Sequence, residues 1–203
     1  MSDADGAAIG VLGSAFNPPH LGHLALAQEA LWQLGLDRVV LVPTGEAPHK
    51  QIADDPGREA RMEMARLAVA ADDRFAVSSL EIDREGASYT YETLGALAEE
   101  RADRKLVFVM GADAAVGLGG WREPERVVEL ASLAVARRDG VADDDVAGVM
   151  RGLGCEERMT MVEMPRIGLS SSALRERAKQ GRPLRYLVPQ PVADYIEAEG
   201  IYR

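Results

Sequence analysis

The chain has 203 residues, 47% of them hydrophobic, which is enough for one sizeable core and too short for two comfortable domains. Its 23 basic residues against 33 acidic ones leave a formal charge of -10, arguing against a broad nucleic-acid footprint because phosphate backbones require a basic face. The start "MSDADGAAIG" lacks a signal peptide's basic flank and apolar h-region, no run approaches about 18 apolar residues, and the lone Cys155 allows neither an internal disulfide nor a thiolate metal cluster. The expectation is a soluble cytoplasmic protein forming one domain over residues 1–203, without nucleic-acid or membrane partners.

"AIGVLG" (Ala8 to Gly13) reads as a first strand whose continuous apolarity suits burial on both faces. After the loop "SAFNPPHLGH", Leu24, Ala27, Leu31 and Leu34 recur at helical spacing, and Gly35 stands where a left-handed cap is favoured. "RVVLVP" (Arg38 to Pro43) is a second strand, followed by "APHK" and a helical pattern over Glu59 to Ala70. "FAVSSLEI", "KLVFVMG", "SLAVARR" and "RMTMVEM" read as further strands, and Tyr91 to Arg101, Glu125 to Leu130 and Ser172 to Lys179 as further helices. The acidic "ADDD" (Ala142 to Asp145) reads as a solvated loop, since it lacks the spaced ligands of a calcium site. "YLVPQPVADYIEAEGIYR" reads as a proline-bounded loop leading into a short closing helix. Alternating strands and helices predict an α/β fold, a doubly wound Rossmann-like parallel sheet with helices on both faces. In such folds ligands bind at the carboxyl ends of the strands, here after Gly13, Val42, Met110 and Met164.

Neither the G-x-G-x-x-G of dinucleotide-binding folds nor the G-x-x-x-x-G-K-[ST] of P-loop enzymes follows the first strand. Instead two of the chain's three histidines, His20 and His23, stand at the start of the first helix. A helix start offers unpaired amides and the positive end of the dipole, residues three apart share a face, and Gly22 removes a side chain where a ligand could approach. The pair therefore reads as donors to phosphate oxygens, with His49 and Lys50 beyond the second strand on the same face. Two other readings stand beside it: one histidine capping the helix, and a three-histidine zinc site, although H-E-x-x-H is absent. Ser170, Ser171 and Ser172 precede a helix with Arg175 one turn inside, which suits a cap or an anion site. By themselves, Trp121 after Gly119 and Gly120 reads as a packing anchor and Asp113 as an ordinary first-turn aspartate.

Together "GSAFNPPHLGH", "APHK", "SYTYETL", "GADAAVGLGGW", "LSSSALR" and "YLVPQPVADYI" resemble the bacterial nicotinate mononucleotide adenylyltransferases of the HxGH nucleotidylyltransferase superfamily, in order and over nearly the whole chain. In that family the first motif is usually G-G-[TS]-F-[DN]-P-x-H-x-G-H, from which Ser14 and Ala15 depart. The resemblance implies that Gly13, Ser14, Ala15 and Phe16 cradle both nucleotides, with Gly22 in the same loop, while His20, His23, His49 and Lys50 meet ATP phosphates. It implies that Ser170, Ser171, Ser172 and Arg175, carried by the part from about residue 165 onward, surround the adenylate and its phosphates. Asp113, following Gly111, is then the ribose-contacting acid. The pyridine ring would stack on Trp121, with its carboxylate met by backbone amides near Thr90 and Arg122. The implied reaction is AMP transfer from ATP to nicotinate mononucleotide, with Mg2+ arriving on the ATP phosphates. Alternatives are nicotinamide mononucleotide or phosphopantetheine as acceptor, or a non-catalytic nucleotide sensor. The sequence leaves open whether the chain is a homodimer.

Overall fold

The computed structural model describes residues 7–47 and 52–203, so the predicted phosphate ligands His49 and Lys50 lie outside the described residues. The strands are β1 (Ala8–Ser14), β2 (Arg38–Pro43), β3 (Phe75–Val77), β4 (Lys105–Gly111), β5 (Ala131–Ala136) and β6 (Met159–Val162). The helices are α1 (Leu21–Gln33), α2 (Arg58–Val69), α3 (Leu80–Asp83), α4 (Thr90–Glu100), α5 (Ala112–Gly117), α6 (Pro124–Leu130), α7 (Asp143–Gly152), α8 (Ser171–Lys179) and α9 (Gln190–Ala198).

The strand order is β3-β2-β1-β4-β5-β6. Pairing is parallel where Ala8 faces Lys105, Leu106 faces Ala131 and Leu133 faces Met159. An order that runs outward from β1 in both directions is that of a doubly wound, Rossmann-like α/β sheet, as the alternating pattern predicts. No helix among the described residues is long and apolar enough to cross a membrane.

The chain folds as two compact units. The first comprises residues 1–12, 26–39 and 89–166 and contains most of β1, then β4 to β6 with α4 to α7. Ile9, Val11 and Leu12 of β1 are buried, as are Leu133, Ala134, Val135 and Ala136 of β5, so the apolar runs are strands covered on both faces. Gly35 ends α1 at φ 61, the left-handed cap expected of it, and Trp32 on the same helix is 76% exposed. The acidic "ADDD" corrects one reading. Asp143, Asp144 and Asp145 form the first turn of α7 rather than a loop, because carboxylates there meet the positive end of the helix, and Asp143 also accepts from Arg137 Nε at 2.9 Å. Cys155 is buried beside Met150, and burial pushes its thiol up, as befits a core residue.

The second unit comprises residues 13–25, 40–88 and 167–203. Its apolar cluster joins Met64 of α2, Leu174 of α8, and Val192 and Ile196 of α9 to Leu184, Val188 and Tyr202. The run "FAVSSLEI" is strand only over Phe75–Val77, and Leu80–Asp83 turns into a helix. The serines cause the break: Ser78 Oγ accepts from the Leu80 amide at 3.3 Å and Ser79 Oγ donates to Asp83 at 2.6 Å, local bonds that compete with a sheet ladder.

Directly after β2, Gly45 lies so close to the following segment that a Cβ would stand 2.0 Å from the Glu81 carbonyl oxygen and 2.9 Å from Ser88 Oγ. Backbone cannot yield as a flexible side-chain tip can. Gly45→Ala is therefore expected to destabilise the fold by about 3 kcal/mol or more. A urea midpoint within experimental error of wild type would show that the 81–88 segment can move away.

Candidate active site

β1 ends at Ser14, and irregular chain leads to α1 at Leu21. Phe16 takes the left-handed conformation at φ 48 with its ring fully buried, 5.1 Å from the His23 ring. Such a conformation is costly for a bulky residue and marks a loop held in shape by its surroundings. The His20 and His23 rings lie 3.9 Å apart, as their spacing predicts.

Backbone amides fix both imidazoles. His23 Nδ1 accepts from the His20 amide at 3.2 Å, and His20 Nδ1 accepts from the Gly22 amide at 3.1 Å. Backbone N–H groups directed at Nδ1 assign each ring the tautomer that carries its proton on Nε2. Ser14 Oγ stands 3.2 Å from His23 Nε2, so a residue departing from the common loop pattern orients one of the two rings. The capping reading is thus seen in both rings, whose Nδ1 atoms serve the helix start.

Two details correct the sequence reading. The start of α1 does not present open amides: Leu21 N–H donates to Leu187 O at 3.2 Å, Gly22 N–H to His20 Nδ1, and the His23 and Leu24 amides to His20 O at 2.9 and 3.3 Å. These first amides of the helix are therefore already engaged within the protein. The space over Gly22 is also already filled, since a Cβ there would lie 3.0 Å from His20 Cε1 and Nδ1. This glycine admits the imidazole rather than a ligand.

The serine motif and Arg175 engage the same loop. Ser170 is the N-cap of α8, accepting from the Ala173 amide at 3.2 Å. Ser171 Oγ donates to Pro18 O at 2.9 Å, and Ser172 Oγ accepts from Arg175 Nη2 at 3.2 Å. Arg175 is buried and donates to Asn17 O at 2.9 Å through Nη1 and to Asp54 at 3.3 Å through Nε. Lys179 meets the other Asp54 oxygen at 2.7 Å. The Lys179 hydrogen bond, followed by that of Arg175, holds the Asp54 carboxyl below the usual carboxylate range.

Arg61, which the sequence reading passed over, is 1% exposed. Its Nε donates to Asp55 at 2.9 Å, Nη1 to Ala15 O at 3.2 Å and to Thr44 O, and Nη2 to Gly45 O at 3.1 Å. The Thr44 amide donates to Ser14 O at 2.9 Å, so the ends of β1 and β2 are clamped around one guanidinium. A signal was available. Arg61 shares the buried face of α2 with Met64 and Ala65, at i+3 and i+4, where a charged residue needs a reason.

In the first unit, Thr90 is the first residue of α4 and Gly111 the last of β4, with Asp113 in the first turn of α5. Asp113 is exposed, 3.9 Å from Arg138 Nη1. Trp121 is half-buried, edge-on to Phe108 at 6.2 Å, and its amide donates to Leu118 O. The Arg122 guanidinium lies 4.8 Å from the centre of the Tyr89 ring and 3.4 Å from its hydroxyl, and Tyr89 stacks on Tyr91 at 6.2 Å. Trp121, Arg122 and two tyrosines not singled out from the sequence thus supply aromatic faces and one cation.

Residues 11–177 match the family described as Cytidylyltransferase-like. A protein of Roseiflexus sp. (strain RS-1), named "Probable nicotinate-nucleotide adenylyltransferase", is 46% identical over 97% of this chain and 98% of its own length. One of the same name from Synechococcus sp. (strain JA-3-3Ab) is 40% identical over 96% and 94%. The chain belongs to the nicotinate-nucleotide adenylyltransferase family. Its fold matches that of Plasmodium falciparum nicotinic acid mononucleotide adenylyltransferase complexed with NaAD, with a TM-score of 0.80 at 16% identity over 97% of each chain.

Among the described residues no group of three or more His, Cys, Asp or Glu side chains is arranged to hold a metal ion, and the three-histidine zinc reading, which needs His49, lies outside them. Arg61→Met is expected to cost about 3 to 5 kcal/mol in urea unfolding, because Asp55 and three carbonyls lose their donor together. A loss below about 1 kcal/mol would mean that the loop does not depend on this guanidinium.

Proposed function

We propose that the chain transfers AMP from ATP to nicotinate mononucleotide, releasing pyrophosphate and forming nicotinate adenine dinucleotide. A phosphate oxygen of the mononucleotide forms the new bond to the α-phosphorus as the bond from that phosphorus to the β-phosphate bridging oxygen breaks. The attacking phosphate is already ionised at neutral pH, so the reaction needs no side chain to remove a proton. It needs anions brought together and charge stabilised, which positioned hydrogen-bond donors supply.

The observation that carries this reading is the pair of imidazoles 3.9 Å apart at the start of α1, each with Nδ1 tied to a backbone amide. His20 and His23 are assigned to the triphosphate, assisted by the Gly13–Phe16 loop. Arg175 and Ser170 to Ser172 serve the adenylate and its phosphates through the loop they bind. Asp113 is assigned to ribose and Trp121 to the pyridine ring. Arg122, exposed and cationic beside Tyr89, favours a negatively charged ring substituent, which supports nicotinate over nicotinamide. Magnesium enters as part of the substrate, bound to ATP, and no step is assigned to a protein-held ion. The chain acts as one cytoplasmic nucleotidylyltransferase domain.

The decisive assay is pyrophosphate release with ATP and, separately, nicotinate mononucleotide, nicotinamide mononucleotide and 4'-phosphopantetheine. Release should be fastest with the nicotinate form, and release with none of them would make the chain a nucleotide sensor. His23→Ala is expected to lower kcat by about 10²- to 10³-fold with modest loss of stability, and near-normal turnover would remove this ring from the chemistry. Trp121→Ala should raise KM for the mononucleotide about 3- to 10-fold while leaving KM for ATP unchanged. An unaltered acceptor KM would reduce this indole to a packing anchor.

A further inference from the structure

Asn17 is 2% exposed, and segments distant in sequence meet on it. Its Nδ2 donates to Ala53 O at 2.8 Å, its own carbonyl accepts from Arg175 Nη1 at 2.9 Å, and its Oδ1 accepts from the Tyr202 hydroxyl. The next residue, Pro18, is held by Ser171. Rotating the Asn17 side chain would therefore disturb the loop between the buried Phe16 and His20.

Tyr202 follows α9 and divides into two parts. Its ring belongs to the apolar cluster with Met64, Leu174 and Ile196, and its one polar atom reaches the loop. Its backbone is left-handed at φ 65, a conformation that an aromatic residue rarely adopts without compensation. A phenylalanine would satisfy the cluster equally well, so packing alone leaves the hydroxyl unexplained. Burial pushes the phenol up, so the hydroxyl remains a donor at neutral pH.

We infer that Tyr202 is a positioning residue for adenylyl transfer: its hydroxyl locks the Asn17 amide and thereby the loop that carries His20 and leads into the first turn of α1, where His23 stands. This rests on the assignment of that loop to the ATP phosphates. Small displacements of a catalytic constellation by a residue remote from the chemistry can cost about 10²-fold, so losing one of several ties should cost less.

The test compares wild type, Y202F, N17A and N17A/Y202F by pyrophosphate release with ATP and nicotinate mononucleotide, well below each protein's Tm. Y202F should lower kcat/KM for ATP about 10-fold, leave KM for the mononucleotide within about twofold, and have no further effect in the N17A background. A purely structural hydroxyl would lower Tm yet leave kcat and both KM values of the folded protein within about twofold, and that result overturns the inference. Should Y202F fail to fold, N17A alone decides, since it keeps both the ring and the hydroxyl: a fall of about 10-fold or more in kcat/KM for ATP supports the role, and a change within about twofold refutes it. The wild-type rate separates the two levels. No release from wild type defeats the adenylyl-transfer reading, whereas normal wild-type release with unaffected variants defeats the positioning role alone.

Discussion

The loop after β1 takes its shape from a buried positive charge. The Arg61 guanidinium gathers the carbonyls of Ala15, Thr44 and Gly45 and the Asp55 carboxylate, so the turn after β1 and the turn after β2 are held by one planar fork. A buried cation is tolerated only when its donors are matched and its charge is balanced, and a guanidinium suits this because its donors point in fixed directions. Lysine would offer one compact charge and could not bridge the same set of oxygens. With that clamp in place, Phe16 can hold its unfavourable backbone and its ring can sit beneath His23.

On this support the two histidines take the place that a glycine-rich loop occupies in other nucleotide-binding folds, the role proposed for them being that of phosphate donors. A P-loop surrounds phosphate with backbone amides. Here the amides at the start of α1 already have partners, two of the bonds running through imidazole Nδ1 atoms. The serine and arginine of α8 reinforce the loop from its other side, Ser171 at Pro18 and Arg175 at Asn17. Asp54, bridging Arg175 and Lys179, balances the cations of that region.

Much of this was legible in the sequence. Continuous apolar runs such as "RVVLVP" and "KLVFVMG" predicted strands covered on both faces, Gly35 predicted its own left-handed cap, and the three-residue spacing predicted paired imidazoles. Where the reading failed, a local polar interaction had prevailed over pattern. Ser78 and Ser79 cut a strand short, and aspartates expected in a loop opened α7 instead. Arg61 announced itself only as a charge on an apolar helix face. Nothing in the sequence around Asn17 or Tyr202 could pair them, since their bond spans 185 positions and depends on how α2, α8 and α9 pack.

The chain's two tryptophans occupy opposite environments, and this gives the molecule an intrinsic optical probe. Trp32 lies open to water on α1, so its emission is expected to be that of a hydrated indole. Trp121 rests edge-on against Phe108 with part of its surface uncovered, and any aromatic ring stacked on it would quench its light. Replacing Trp32 with phenylalanine would remove that background and leave a single chromophore reporting on the surroundings of Trp121, with no label attached.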